Sequence, residues 1–177
     1  MNRFILDQNP VLAAQYHCDK HVVKMILEEA QMLSTVHRII DGEEYVDASS
    51  GRKIKRWRLN DDRELSLYKA THAGHPCTQW ASQSADNYAW AVKLFRALLD
   101  EYHHRYNKIH KCEMLWKILS HKPNGMKSGP VYKFPQAMPD DCRRPDPIDG
   151  YRTYYINHKA RFAKWTNRPI PNWFICP

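Results

Sequence analysis

The sequence predicts a mainly α fold, a single compact helical domain with a short β-hairpin or basic loop and a long proline-rich loop. Three observations predict it. Within residues 10 to 40, Val22, Ile26, Ala30, Leu33 and Ile40 recur at steps of three, four and seven, an apolar helical stripe. Residues 77 to 106 contain neither glycine nor proline and repeat apolar and aromatic side chains at the same period. Residues 121 to 150 gather prolines and glycines that prevent regular structure. The 177 residues suit one buried core, and no segment offers the ~20 apolar residues of a membrane helix.

Taken in order, residues 3 to 7 are too short for anything but a strand or an extended arm. Pro10 fits the first turn of a helix, with Asp7 or Asn9 as its cap. That helix is expected to run unbroken to Ile40 and to stop at Asp41-Gly42. Tyr45-Val46 and the run from Ile54 to Trp57 flank Ser49-Ser50-Gly51, which reads as a hairpin or a long basic loop. Asn60-Asp61-Asp62 opens a short helix through Tyr68, and Thr71-His72-Ala73-Gly74-His75-Pro76 is a turn. On the second long helix Trp80, Ser84, Tyr88, Ala91, Phe95, Leu98 and Tyr102 share a face that reads as core. His103, His104, Arg105 and Lys108 suit the dipole of its last turn. A third helix is expected over residues 111 to 120 and a fourth over 149 to 165. The stretch from Arg168 to Phe174 reads as extended and docked on the core.

Lysine and arginine outnumber the acids 27 to 19, for a net charge of +8 and a pI near 9.3. That balance suits a polyanion, nucleic acid before membrane, because no basic amphipathic anchor is visible; it equally suits a basic enzyme. Five scattered cysteines without a CxxC pair point to reduced thiols rather than disulfides or a zinc ribbon. The opening Met1-Asn2-Arg3 has no signal-peptide pattern, so a cytoplasmic location is expected.

The chemistry gathers on the first helix. His17, His21, Lys24, Glu28 and Gln31 recur along one face, beside Cys18, Asp19 and Lys20. Two imidazoles, an amine and a carboxylate in reach of each other suit acid–base or imine chemistry. Like charge from Lys20 and His21 plus burial would lower the Lys24 pKa and make its amine nucleophilic. Asp19 or Glu28 would supply the carboxylate, and His21 the proton shuttle. The spacing of His17 and His21 permits a metal only with a third ligand from elsewhere, and no HExxH motif is present, so no metal is expected. P-loop, GxGxxG and GxSxG motifs are absent, and no cofactor is expected. Nucleic-acid contact is expected from Arg3, Lys20, His72, His75, Arg152 and Arg161. The arm Arg52, Lys53, Lys55, Arg56 and Trp57 adds cations around a stacking ring.

Two resemblances add to this. Cys18-Asp19-Lys20-His21-Val22-Val23-Lys24-Met25, Tyr68 to His72, His75-Pro76-Cys77 with Trp80, and Gln136-Ala137-Met138-Pro139 resemble a set of uncharacterised proteins of tailed bacteriophages. That resemblance spans nearly the whole chain and implies a host-cytoplasmic protein. Met1-x-Arg3, Leu12-Ala13-x-Gln15, Ala73-Gly74-His75 and Arg168-Pro169 before Trp173-Phe174 resemble the phage pyrimidine-dimer DNA glycosylases with AP-lyase activity. This second resemblance implies a helical protein that flips a base while kinking DNA. Its nucleophile is the α-amine of the residue after an excised methionine. Here that residue is Asn2, large enough that Met1 is expected to stay, and the family's catalytic glutamate would fall near His21. The expected function is a glycosylase- or lyase-like enzyme on a damaged or modified base in DNA. The alternatives are an enzyme on a modified nucleotide or base in phage DNA hypermodification or anti-defence, and a non-catalytic DNA-binding or inhibitor protein. The oligomeric state is left open.

Overall fold

The computed structural model describes residues 1–49 and 51–175; Ser50 of the expected hairpin turn and Cys176 lie outside them. The first nine residues run extended, and Arg3, Phe4, Ile5 and Leu6 are buried. Asn9 then caps α1 (Pro10–Tyr16), its side chain accepting from the Val11 N–H at 2.9 Å, with Pro10 in the first turn.

The single helix expected over residues 10 to 40 is broken. His17 and Cys18 are extended, and α2 runs from Asp19 to Asp41. The cause is a competition for one carbonyl. The His17 ring N–H at Nδ1 donates to the Ala13 carbonyl at 2.6 Å, so the His17 backbone N–H turns to Ala14 at 3.2 Å. The Asp19 N–H then finds the Lys164 carbonyl at 2.8 Å, and a new helix starts. On α2 the predicted stripe is internal: Val22, Ile26, Ala30 and Leu33 are fully buried, with Ile40 packed at the edge.

Two strands follow, β1 (Glu43–Asp47) and β2 (Ile54–Arg58), antiparallel with Glu43 opposite Arg58 and Asp47 opposite Ile54. Gly42 joins α2 to β1 at φ −97°, so it is not there for a left-handed turn. A Cβ at Gly42 would stand 2.5 Å from the Arg38 carbonyl oxygen and 2.9 Å from that of Arg58, so only glycine fits. After α3 (Arg63–Ser66), the expected helix over 77 to 106 is also interrupted. It forms α4 (Pro76–Gln83) and α5 (Ala85–Tyr106), because Ser84 is extended. The Ser84 hydroxyl accepts from the Asn87 N–H at 3.1 Å and donates to the Pro130 carbonyl at 2.7 Å. A 3₁₀ turn (Lys111–Leu115) and α6 (Trp116–Leu119) replace the expected third helix. The long loop contains one further 3₁₀ turn, Asp140–Cys142. The last helix, α7 (Pro147–Lys159), ends in the 3₁₀ turn Ala160–Phe162.

α1 lies along α5, and α2 packs on both α4 and α5. Trp80, Tyr88, Ala91, Phe95 and Leu98 fill the space between them. α7 closes the other side, its Tyr151 and Tyr155 edge-on to Phe4 of the first segment. The four described cysteines, Cys18, Cys77, Cys112 and Cys142, are buried free thiols.

One side chain joins the hairpin to the helices. Arg38 is 2% exposed, and its guanidinium donates to the carbonyls of Tyr68 (2.7 Å), Trp57 (3.1 Å), Leu67 (3.0 Å) and Glu64, and to the Glu64 carboxylate. A buried guanidinium is tolerated only when its donors are met, and those of Arg38 meet α3, the loop that follows it and the end of β2 at once. Arg38→Ala is expected to lose about 3–5 kcal/mol of stability by leaving these acceptors unpaired. Arg38→Lys should recover less than half, since an ammonium lacks the planar fork. Urea unfolding followed by circular dichroism checks both, and a wild-type midpoint for the alanine variant would refute the role.

Candidate active site

Arg3 places the site. Its side chain is fully buried, with Nε and Nη2 donating to the two Glu29 oxygens at 2.8 and 2.6 Å and Nη1 to the Cys77 carbonyl at 3.1 Å. The Trp80 ring lies 5.5 Å from the guanidinium carbon. Arg3 was expected on a DNA backbone; burial and a bidentate carboxylate take its donors instead.

With residue 3 pinned to the middle of α2, residues 1 and 2 fall over Glu28. The Asn2 N–H donates to Glu28 Oε2 at 2.7 Å, and the Met1 ammonium nitrogen is 4.0 Å from the same oxygen. The Asn2 side chain donates to the Ala137 carbonyl at 2.9 Å, so the long loop holds this end from above. The Lys24 ammonium reaches Glu28 Oε1 at 3.3 Å, although its side chain is 66% exposed. His75, the cap of α4, accepts the Cys77 N–H on Nδ1 at 3.2 Å, which leaves its proton on Nε2. Burial lowers the His75 pKa, and the amino terminus, His72 and Arg3 lower it further, while Glu28 pulls the other way. Glu28 on α2 thus gathers the Met1 amine, the Asn2 N–H and Lys24, and His75 at the start of α4 feels the charges of the amine and of Glu28.

His17 and His21 lie elsewhere, in an aromatic nest. His21 stacks on Phe4 with centroids 4.4 Å apart, and its Nδ1 shares a 2.5 Å hydrogen bond with the Tyr155 hydroxyl. His17 is fully buried, and its Nε2 has no partner among the described residues. Burial is the first cause that lowers both, to about 4 for His17 and about 3 for His21; His17, Lys159 and Lys24 add to the effect at His21. Both are neutral at pH 7. Their rings sit 6.4 Å apart and each Nδ1 is engaged. Asp19, expected as a catalytic carboxylate, faces the C-terminal segment instead. It accepts from Arg105 at 2.9 Å and from the Thr166 N–H and hydroxyl at 2.9 and 2.8 Å.

The expected nucleic-acid residues are dispersed. In the hairpin Arg52 and Lys53 are exposed, Lys55 pairs with Glu44 at 2.6 Å over the half-buried Trp57, and Arg56 turns inward to the Ala70 carbonyl. His72 is exposed at φ 50°, its Nδ1 2.7 Å from the Thr71 hydroxyl. Arg152 is turned to the Leu6 carbonyl (3.0 Å) and Asp7 (3.3 Å) with Trp173 beneath it. Lys20 and Arg161 are exposed, and both approach the Phe162 ring. Among the described residues Asp141, Cys142 and His158 form the group with metal-ligand spacing, their ligand atoms within 4.8 Å of one another.

Fold and site define a class of small helical proteins whose first residues are seated on a carboxylate of the longest helix. A family model described as pyrimidine dimer DNA glycosylase matches residues 1–114, and the chain belongs to that family. The family brings a DNA glycosylase-like role on damaged DNA, with DNA as the partner. No curated protein and no solved structure matches the chain. The resemblance drawn from Met1-x-Arg3 and Ala73-Gly74-His75 is therefore the one that the match names. The carboxylate beside the Met1 and Asn2 nitrogens is Glu28, about two turns along α2 from His21, where the resemblance would put the family's glutamate. Glu28 was among the carboxylates expected from the sequence, at i,i+4 spacing from Lys24.

The lowered imidazoles carry a stability signature. Between pH 6.5 and about 4 the unfolded chain protonates His17, His21 and His37 while the folded chain keeps them neutral, so stability falls as pH falls through that window. For His17 alone the loss approaches about 3 kcal/mol. Thermal melts from pH 7.5 to 4.5 are expected to show the Tm falling below pH 6.5, and a His17→Asn variant that still folds should show a shallower fall. A flat profile would contradict the neutral, buried assignment.

Proposed function

We propose that the protein is a glycosylase with lyase activity on a damaged or modified base in DNA, working through an imine formed by its α-amine. The observation that carries this is Glu28 Oε2, 2.7 Å from the Asn2 nitrogen and 4.0 Å from the Met1 amine. An amine beside a carboxylate is the minimal apparatus for imine chemistry, one group attacking and the other moving protons. The reading requires a free amine at Met1 or, if Met1 is removed, at Asn2. Removal would expose the nitrogen that already contacts Glu28.

The steps follow from these groups. The neutral amine adds to C1′ of the nucleotide, and the C1′–N bond breaks with its electron pair leaving on the base, which takes its proton from water. Glu28 takes a proton from the attacking nitrogen and returns it to O4′ as the sugar ring opens, leaving an iminium at C1′. Loss of a C2′ proton then expels the 3′ phosphate, and water releases the amine. Neutral His75, protonated on Nε2, adds a hydrogen-bond donor at the rim. Lys24 holds the second Glu28 oxygen and adds a positive charge where a phosphate approaches.

Borohydride trapping on duplexes carrying an abasic site or a pyrimidine dimer tests the proposal. A covalent adduct is expected, mapped by peptide mass to the amino-terminal residue. Glu28→Gln should slow strand cleavage by about 10²- to 10⁴-fold, the usual contribution of a positioned acid–base group. Absence of an adduct and of cleavage on both duplexes overturns the enzyme reading. An adduct on Lys24 with an unmodified terminus overturns the α-amine assignment.

A further inference from the structure

We infer that the DNA strand is held by a cation–aromatic surface where the start of α2 meets the end of α7, and not by the hairpin. This rests on the DNA-acting reading and adds the surface that engages the phosphates. Lys20 of α2 lies with its ammonium 5.1 Å from the centre of the Phe162 ring, and Arg161 approaches the same ring at 6.0 Å. Lys159 sits 4.5 Å over Tyr154 and 6.0 Å from Phe4. Lys164, exposed, is tied to the start of α2 by its carbonyl, which accepts the Asp19 N–H. The three later cations lie beyond residue 114, outside the span matched by the family.

The kind of contact, together with distance from Glu28, favours this surface over the hairpin. A ring face positions a cation without cancelling its charge, whereas a carboxylate cancels it. None of Lys20, Lys159, Arg161 and Lys164 has a carboxylate within 4.0 Å among the described residues. Asp19, the acid nearest in sequence, is occupied by Arg105 and Thr166. The hairpin is mixed: among the described residues Arg52, Lys53 and Arg58 have no carboxylate within 4.0 Å and Arg58 lies 5.1 Å over the Tyr45 ring, but its other cations are engaged. Glu43, Glu44 and Asp47 run opposite its basic arm, Lys55 is paired with Glu44, and Arg56 is turned in to a backbone carbonyl.

Position agrees with charge. Lys20, Lys24 and Glu28 succeed one another at four-residue steps on α2, so the surface leads directly to the amine and its carboxylate. The axial distance from Lys20 to Glu28 is about 12 Å, or three to four nucleotides of one strand. A phosphate bound over Lys20 and Lys159 therefore places at Glu28 a sugar about three to four nucleotides along the strand. Neutral His21 and Phe4 beneath the patch add no charge of their own.

The test is salt-dependent binding of the full chain to a 20-base-pair duplex, about that length, containing a tetrahydrofuran abasic analogue, read by fluorescence anisotropy. The combined variant Lys20→Ala, Lys159→Ala, Arg161→Ala is expected to lower the slope of log K against log salt by about 2–3, since each phosphate contact contributes about 0.9. The hairpin variant Arg52→Ala, Lys53→Ala, Lys55→Ala is expected to change it by less than about 1. If the combined variant fails to fold, Lys20→Gln and Arg161→Gln made singly should each remove about 0.9. A wild-type chain that forms the borohydride adduct, with patch variants that keep the full slope, overturns the surface and leaves the enzyme reading intact. A hairpin variant that loses as much slope as the patch variant also overturns it. A wild-type chain that neither traps nor binds duplex overturns both.

Discussion

The buried Arg3–Glu29 pair is the constraint from which the site follows. Both side chains are removed from water, 0% and 1% exposed, and the fork of Arg3 meets the carboxylate bidentately. Such a pair adds little net stability over apolar residues of the same shape, because desolvation offsets the attraction. What it supplies is position. Glu29 fixes residue 3 to one turn of α2, and residues 1 and 2 then lie against Glu28. Glu28 and Glu29 are neighbours in sequence but about 100° apart around the helix, so one carboxylate serves the core and the other the amine. A hydrophobic replacement of the buried pair would keep the fold and lose the register.

α2 does the rest because its faces have separate tasks. The Val22, Ile26, Ala30 and Leu33 face builds the core on α4 and α5. Its first turn is anchored by a second buried network: Arg105 joins Asp19 at 2.9 Å and Glu101 at 2.7 Å, and Arg168 closes on Glu101 at 2.9 Å. That network ties the break at His17–Cys18, the end of α5 and the C-terminal segment into one rigid corner. The corner holds Lys20 and Lys164 near each other, and Phe162 below Lys20. Anchoring at both ends of α2, by Arg105 at the start and Arg38 at the finish, keeps Glu28 in the stiff middle of the helix.

The helical class, the hairpin, the core stripe and the long loop were legible because each is written in a local period or in local backbone chemistry. The Lys24–Glu28 pair was legible for the same reason. The helix breaks were not: that at Ser84 depends on the distant Pro130 carbonyl, and that at His17 couples its own ring on the Ala13 carbonyl to the distant Lys164 carbonyl that receives Asp19. Nothing within a few residues of Ser84 distinguishes it from a helical serine. Arg3 was misread in the same way, since an arginine in a short arm belongs to solvent unless a carboxylate 26 residues later receives it. His17 and His21 read as one reactive face only while the helix was taken as continuous. The break moves His17 into the core, and the aromatic residues of α7 and the first segment enclose both rings.

The same distinction governs the charge. A net +8 counts every arginine equally, yet Arg3, Arg38 and Arg105 are internal, each spread over a carboxylate and backbone carbonyls. Buried and paired, they contribute little to the field outside. Exposed charge is itself screened within about 8–10 Å at ordinary ionic strength, so only cations close to the amine and Glu28 act on a strand placed there. Lys24 meets that condition by direct contact, Lys20 continues the line one turn back on α2, and Lys159 of α7 lies over Tyr154 and near Phe4. The decisive quantity is therefore not how basic the chain is. It is which cations rest on rings with their charge intact, and how few helical turns separate them from the carboxylate beside the amine.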